Sequence, residues 1–587
     1  MVRTRVLALL VPIASLAVIV GQSVPASATA ATITLSPSFA PPNASVTVAG
    51  KGFGASESIV VMLDASQVAS AQTGSLGGFT ATFTVPKGTK PGSHEITAKG
   101  ERSGRAAHLR LAVQTEWAKF HSDLANTGYN RAENVLRLSK VAKLQEQWSF
   151  PTGNTVISAP AVYRGVVYVG SDDDNVYAIT ASTGVPRWSF HTGGPIFSSP
   201  AVTANGIFIG SADGNVYGLT LSGAKLWSYN TGYRVDSSPA VSAGIVYVGA
   251  SGGVYALRAS TGSVVWNFRP AGFTTSTPAV VGNIVYVSSL FGGVYALNAA
   301  TGKTIWHFDA GCCLWSSPVI AGGLLYVGST DQNVYAINAA TGAVVWTYAT
   351  QDQIHSTAAV AGKMVYIGSD DGNLYALHAL TGKLKWSFVT GGFVDSSPAV
   401  ARGVVYVGSE DGSIYALRSS TGSKLWSQAN GSPIESSPAI ASGEVFVGTD
   451  APNARVIAYG TRLITSVVFT GTTPAPTITV NGRGFGSSPP TGYPADVTSC
   501  GRYSNNGDWF GTDGLIFTDV GKGWDAGRGV PGDASCIGLI VVSWTPTQVV
   551  FQFGDAYDSF SDWFINNGDS FTVTLKGVDF SSLAYFS

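Results

Sequence analysis

Much of the chain repeats one apolar–polar phrase. One copy reads Ser396-Ser397-Pro398-Ala399-Val400, then Gly403-Val404-Val405-Tyr406-Val407-Gly408-Ser409, then Ser413-Ile414-Tyr415-Ala416-Leu417, then Thr421-Gly422, and it closes on Trp426. Each copy holds four short apolar runs bounded by Gly, Asp-Gly or Thr-Gly, the pattern of four strands joined by tight turns. Trp148, Trp188, Trp227, Trp266, Trp306, Trp346, Trp386 and Trp426 recur every 39 or 40 residues. A four-strand unit with a period of about 40 residues predicts a β-propeller blade. The opening serines Ser158, Ser198, Ser237, Ser276, Ser316, Ser356, Ser396 and Ser436 count eight copies. The last copy stops at Val456-Ile457-Ala458-Tyr459 with no tryptophan behind it, while Trp148 precedes the first copy. Residues 145–150 are therefore expected to form the outer strand of the eighth blade and so close the ring.

The alternation changes on both flanks. Residues 31–115 contain Ser45-Val46-Thr47-Val48 and Thr80-Ala81-Thr82-Phe83-Thr84-Val85, with turns at Gly52-Phe53-Gly54 and Gly77-Gly78. That length and pattern predict a small β-sandwich. The propeller takes 116–460, with a lead-in over 116–144 whose first part, 117–134, is expected to wrap from the sandwich to the ring. Residues 461–587 predict a second sandwich carrying a long insertion at about 489–531. The fold class is all-β: an eight-bladed propeller between two sandwiches. At the front, Arg3 and Arg5 precede an apolar run over 6–20 and the small-residue site Ala26-Ser27-Ala28. This is the build of a Sec-type signal peptide over 1–30, and the run is too short to span a bilayer. The expectation is a secreted, extracellular protein with no membrane span.

Composition narrows the function. The 34 Lys and Arg against 35 Asp and Glu give a net charge of −1, so there is no basic excess to neutralise phosphates and no nucleic-acid partner is expected. A hydrophobic share of 45%, with 14 Trp, 23 Tyr and 27 Phe, excludes a disordered chain.

Ala296-Leu297-Asn298-Ala299-Ala300-Thr301-Gly302-Lys303-Thr304-Ile305-Trp306 resembles the tryptophan-docking repeat of pyrroloquinoline-quinone (PQQ) type propellers. That family includes the eight-bladed quinoprotein alcohol dehydrogenases and non-catalytic outer-membrane assembly lipoproteins. The resemblance covers about 117–460 and implies that the eight tryptophans dock between blades. Thr477-Ile478-Thr479-Val480-Asn481-Gly482-Arg483-Gly484-Phe485-Gly486 resembles the start of an immunoglobulin-like IPT/TIG module of secreted bacterial proteins, and residues 32–114 resemble the same class.

Candidate chemistry gathers at one position of the repeat. The residue before each opening serine is Ile157, Phe197, Asp236, Thr275, Trp315, His355, Asp395 or Glu435, at one mouth of the central channel. His355, Asp395 and Glu435 come from consecutive blades, and an imidazole with two carboxylates suits a metal or acid–base work. Asp236 and Trp315 complete the candidate ligand site. Cys312 and Cys313, being adjacent, are candidates for a vicinal disulfide or two buried thiols. The resemblance to quinoprotein alcohol dehydrogenases implies such a disulfide against PQQ with calcium, and Trp315 as a stacking surface. The regular 39- or 40-residue repeats leave no room for that family's long insertions with their calcium ligands and base. Cys500 and Cys536 are expected to pair by locality. Asp172-Asp173-Asp174, Asp213-Gly214, Asp370-Asp371-Gly372 and Glu410-Asp411-Gly412 read as turns before they read as calcium loops. Two functions compete. One is a non-catalytic, monomeric binding or scaffold protein of the extracellular space or cell envelope, taking a protein or glycan ligand. The other is a PQQ-dependent dehydrogenase of alcohols or sugars.

Overall fold

The computed structural model describes residues 30–90, 92–311 and 313–461. In the C-terminal part it describes 463–470, 476–483, 515–519, 524–526, 539–544, 548–553, 570–575 and 578–583. The expected signal segment up to residue 29, Cys312, Cys500 and Cys536 lie outside the described residues. The regular elements of the described residues are all strands except for the short helix Leu138–Val141.

Residues 145–460 form four-stranded antiparallel sheets in chain order, one for each copy of the repeat. A typical sheet runs Val319–Ala321, Leu324–Gly328, Asn333–Asn338 and Val344–Ala349 from inside to outside. The last sheet takes Ala439–Ala441, Glu444–Gly448 and Arg455–Gly460 from the end of the ring and Gln145–Pro151 from its start. The closing register runs from Arg455↔Pro151 to Gly460↔Gln145. A sheet sequence sealed in this way is a β-propeller.

Three devices join neighbouring sheets, and each explains a piece of the repeat. First, Trp148, Trp188, Trp227, Trp266, Trp306, Trp346 and Trp386 each donate Nε1–H to a carbonyl of the next sheet: Ala181, Leu221, Ala259, Ala299, Ala339, Ala379 and Ser419. Trp426 instead meets Tyr459 edge-on at 5.2 Å. Second, the glycine ending the second strand makes room for an apolar side chain of the next sheet. A Cβ on Gly328 would lie 2.2 Å from Ile354 Cγ2, and one on Gly368 2.5 Å from Val394 Cγ1. Third, serines link one sheet to the next in partial belts. Ser396 Oγ accepts from Gly408 N inside its sheet and donates to Ser436 O in the next. Ser436 Oγ donates to Ser158 O and carries the belt across the closure. Ser397 N donates to Ser437 Oγ in a parallel belt. Ser396→Ala leaves the buried Gly408 N–H without its acceptor and is expected to cost about 1 kcal/mol; denaturant titration measures it.

Residues 117–134, the expected lead-in, run past one inner strand after another. They lie along the channel edge of the inner strands. The Trp117 N–H and C=O pair with Val162, and Ala118 O accepts from Val202 N. Leu124, Ala125, Thr127 and Gly128 carbonyls accept from Val280, Ile320, Val360 and Val400 N–H groups. Asn130 Nδ2 donates to Ile440 O. An inner strand leaves one edge of unpaired N–H and C=O groups toward the channel, and this segment satisfies them. Buried Lys119 spends its three N–H donors on Phe120 O, Asp123 O and Asn126 Oδ1, and burial pushes its pKa down to about 7. Burial likewise holds the His121 imidazole, stacked on Phe120, at about 3 and therefore neutral. Gly128 (φ +62°) is required here, because a Cβ would lie 2.9 Å from Ala359 Cβ and 3.0 Å from Pro398 O.

The chain divides into two compact units. The smaller takes Thr47–Phe83, Glu95–Leu109 and the segment ending at Ser36. In it Thr32–Ser36 pairs with Ser45–Lys51, and Ser58–Leu63 pairs on one edge with Ser66–Gln72 and on the other with Gly92–Gly100. Val48, Ile59, Val61, Phe79 and Ile96 are among its buried apolar residues, with Phe53 edge-on to Phe79 at 5.3 Å. The larger unit contains the propeller and the C-terminal strands. The latter form two four-stranded sheets, one of Leu463–Thr470, Thr477–Arg483, Gln548–Phe553 and Leu539–Trp544. The other is made of Trp524–Ala526, Leu515–Asp519, Ser570–Leu575 and Val578–Leu583. Phe469, Phe517 and Phe571 meet in their core.

Candidate functional site: the channel mouth

Two positions of each repeat build the mouth. The first is the residue before the opening serine. Its flanks are buried: in the sixth copy Ile354 packs under the preceding sheet and Ser356 enters the belt. The residue between these two buried neighbours faces the other way and is half-buried. The second position lies two residues past the glycine near the end of the second strand, a place that Ser288 takes in the fourth copy. There Asp172, Ala212, Ser251, Leu290, Thr330, Asp370, Glu410 and Asp450 each donate the backbone N–H to a carbonyl two residues before the first position. Asp370 N bonds Gln353 O, and Asp450 N bonds Pro433 O. The recurrent bond sets the two positions of every copy side by side.

The two sets give the mouth an acidic arc across the last three sheets and the first. It holds His355 and Asp370, Asp395 and Glu410, Glu435 and Asp450, and Asp172. His355 Nδ1 lies 3.1 Å from Asp370 Oδ2 and 3.7 Å from Asp395 Oδ1. One ligand atom from each of the three lies within 4.8 Å of the others. The carboxylates of Asp370 and then Asp395 raise the His355 pKa to about 10 against its burial. The carboxylates move up as well. Burial, then Glu435, Glu410 and Asp172, pushes Asp450 up to about 7. Burial, then Glu435 and Asp173, lifts Asp172 to about 6, with Arg234 opposing. Burial raises Glu410 and Glu435 first, and both then feel Asp395.

Of the residues singled out in the sequence, His355 and Asp395 come together as expected. The third member of the close trio is Asp370, not Glu435; Glu435 stands in the same arc, within reach of the His355 charge. Asp236 belongs to a separate pair with Arg234, 3.3 Å away, and that guanidinium also covers the Phe197 ring at 5.2 Å. Trp315 is exposed and meets the His355 ring edge-on at 6.0 Å. With Tyr233, Phe273, Phe291 and Phe393 it makes exposed aromatic surface on the loops that carry the mouth positions. Cys313 is held by its carbonyl, which accepts from Thr330 N and Oγ1. The second-position residues Asp172, Asp370 and Glu410 escape the sequence reading because each opens an acidic turn, and Asp450 because it stands outside that pattern, before Ala451-Pro452. The signal available was their variability: Ala212, Leu290 and Thr330 occupy the same place. The turn aspartates that follow are spent on structure. Asp371 accepts from Tyr375 OH, Asn373 N and Gln351 N, and Asp411 accepts from Tyr415 OH, Ser413 N and Gly391 N.

The class is thus a β-propeller, closed by its own first strand, with its variable chemistry concentrated at one mouth. The chain belongs to the PQQ_2 family, described as outer membrane protein assembly factor BamB. The family profile matches residues 134–269, 212–353, 261–387 and 351–463, continuous over more than half of the chain. No curated protein matches the chain in sequence. Among solved structures, quinohemoprotein alcohol dehydrogenase from Comamonas testosteroni is similar at a TM-score of 0.54 and 16% identity, covering 59% of this chain and 80% of that one. Quinohemoprotein alcohol dehydrogenase ADHIIG from Pseudomonas putida gives 0.53 and 17%, with the same coverage. At these identities the likeness is one of fold.

Proposed function

We propose that this is an exported, non-catalytic binding protein: an eight-bladed propeller between two sandwich modules, taking a positively charged segment of an extracellular partner at its channel mouth. One observation carries the reading. The ring is hydrogen-bonded into a rigid body by its repeats, and the positions that vary among the repeats converge on a mouth that is acidic on one arc and aromatic on another. Carboxylates select cations, and exposed rings add cation–π and stacking contacts. No helix among the described residues is long and apolar enough to cross a membrane. In the test, a tryptophan-containing lysine-rich peptide and chitosan oligomers are titrated onto the full chain. The peptide is expected to bind saturably and more weakly as salt rises, with about tenfold loss in Glu435→Gln. Equal binding by parent and variant would sink the reading, and a preference for chitosan would move it to a glycan.

The fold of the structural neighbours favours a second reading, a PQQ-dependent dehydrogenase. The mouth residues do not fit the cofactor. PQQ is a tricarboxylate, and the arc of Asp172, Asp370, Asp395, Glu410, Glu435 and Asp450 faces it with further anions, several already held above their ordinary pKa by burial and then by one another. Trp315 and Cys313 stand two residues apart on one loop rather than on opposite sides of a planar ring. Titration with PQQ and calcium is expected to leave the quinone absorbance unchanged.

A further inference from the structure

We infer that the acidic arc holds one divalent transition-metal ion, with Zn2+ as the type case, on His355 Nδ1, one Asp370 oxygen and one Asp395 oxygen. Bonds of about 2.0–2.2 Å to nitrogen and oxygen put neighbouring ligand atoms roughly 3–4 Å apart around one ion. The separations of 3.1 and 3.7 Å, with all three atoms within 4.8 Å, fall in that range or a small rotation from it. The three ligands come from two adjacent sheets, and backbone hydrogen bonds place them: Asp370 N to Gln353 O, and the serine belt beneath His355 and Asp395.

A simple salt bridge, with protonated His355 between two aspartates, accounts for the trio alone. It does not account for what surrounds it. Asp450 is only 7% exposed, and its Oδ1 has no hydrogen-bond donor. The groups whose charge it feels are Glu435, Glu410 and Asp172, all carboxylates. Asp172 Oδ1 is likewise buried without a donor. Buried carboxylates ordinarily find donors, counter-ions or a metal. Here six carboxylates face one imidazole and, at Asp172, the charge of Arg234, so the arc is built for more positive charge than these two groups supply. The donor set narrows the ion. An imidazole nitrogen with two carboxylates suits Zn2+, Mn2+ or Co2+, whereas Ca2+ and Mg2+ take shells of oxygen. Three protein ligands leave a coordination position open toward the mouth.

This inference does not rest on the partner reading, and the experiment needs no partner. The full chain is stripped with a chelator, then titrated with Zn2+ by calorimetry and with Co2+ by visible spectroscopy. The expected result is one saturable site per chain and Co2+ ligand-field bands. His355→Gln and Asp370→Asn are each expected to weaken binding by at least about 10–100-fold, whereas Glu95→Gln in the smaller unit binds as the parent does. Zn2+ should also protect His355 from diethylpyrocarbonate in the unmutated protein, read by mass spectrometry, a measurement that no misfolded variant can confuse. Absence of a saturable site in the parent overturns the inference. So does binding that survives both substitutions at parental strength, or a site that takes Ca2+ and is not displaced by Zn2+. Metal binding without peptide binding would strike the partner reading alone; peptide binding without a metal site would strike this inference alone.

Discussion

Trp346→Ala is expected to lower the unfolding free energy by about 3–5 kcal/mol, the range for deleting a buried aromatic side chain that the neighbours cannot refill. Trp346 is 9% exposed. Its ring lies against Gly382 of the next sheet and tilts on Tyr326 at 5.9 Å, and Nε1 donates to Ala379 O at 2.8 Å. Removal therefore leaves a cavity between two sheets and takes from Ala379 O one of its two donors, the other being Tyr326 OH. Trp346→Phe keeps most of the volume and loses only the donor, so it should cost about 1–2 kcal/mol. Gly382→Ala attacks the same contact from the other side. Its φ is +67°, and a Cβ would lie 2.7 Å from Trp346 Cε3. The measurement is guanidinium denaturation with the m-value held under watch, since a shift in midpoint at constant m isolates stability. A Trp346→Ala midpoint within error of the parent would show that the docking contact is not what joins the sheets.

The ring was legible in the sequence because each of its joints is a repeated residue. A tryptophan that docks, a glycine that makes room and a serine that bonds twice are needed in nearly every copy, so the period shows. The closure by residues 145–150 was legible for the same reason: one tryptophan too many at the start and one too few at the end. The lead-in was not. Residues 117–130 touch seven different inner strands in succession, and that path follows from the edges left by the ring, not from any local pattern. The mouth was half legible. His355 and Asp395 stand where the repeat changes type and could be singled out, whereas Asp370 hides in an Asp-Asp-Gly turn whose second aspartate, bonded to Tyr375, is purely structural. Pairing Asp370 with His355 requires the hydrogen bond between strand end and loop that brings the two positions of one copy together.

Asp450→Asn is expected to stabilise the protein at pH 8, and the gain should vanish in acid. The sign follows from the direction of the shift. An aspartate in an unfolded chain titrates near 3.9, whereas in the folded protein Asp450 titrates at about 7. Below about pH 4 the carboxyl is neutral in both states and favours neither. As pH rises through the interval up to about 7, the unfolded chain gives up its proton freely and the folded chain resists, so folding loses stability. Above that interval the loss is complete. A raised pKa of this size corresponds to on the order of 2–4 kcal/mol, and the neutral, nearly isosteric asparagine avoids it. The groups that face Asp450 electrostatically are Glu435, Glu410 and Asp172, all of one sign, so nothing opposes the effect at neutral pH. The variant and parent should therefore show equal denaturation midpoints at pH 4 and separate steadily toward pH 8. Midpoints that differ equally at both ends, or a variant less stable at pH 8, would mean that Asp450 has a donor or cation at hand and that the arc is not under repulsion. The same experiment repeated with saturating Zn2+ should shrink the gap at pH 8. A bound cation lowers the charge on the arc and lets Asp450 ionise nearer its ordinary range, so the penalty that asparagine removes is smaller to begin with.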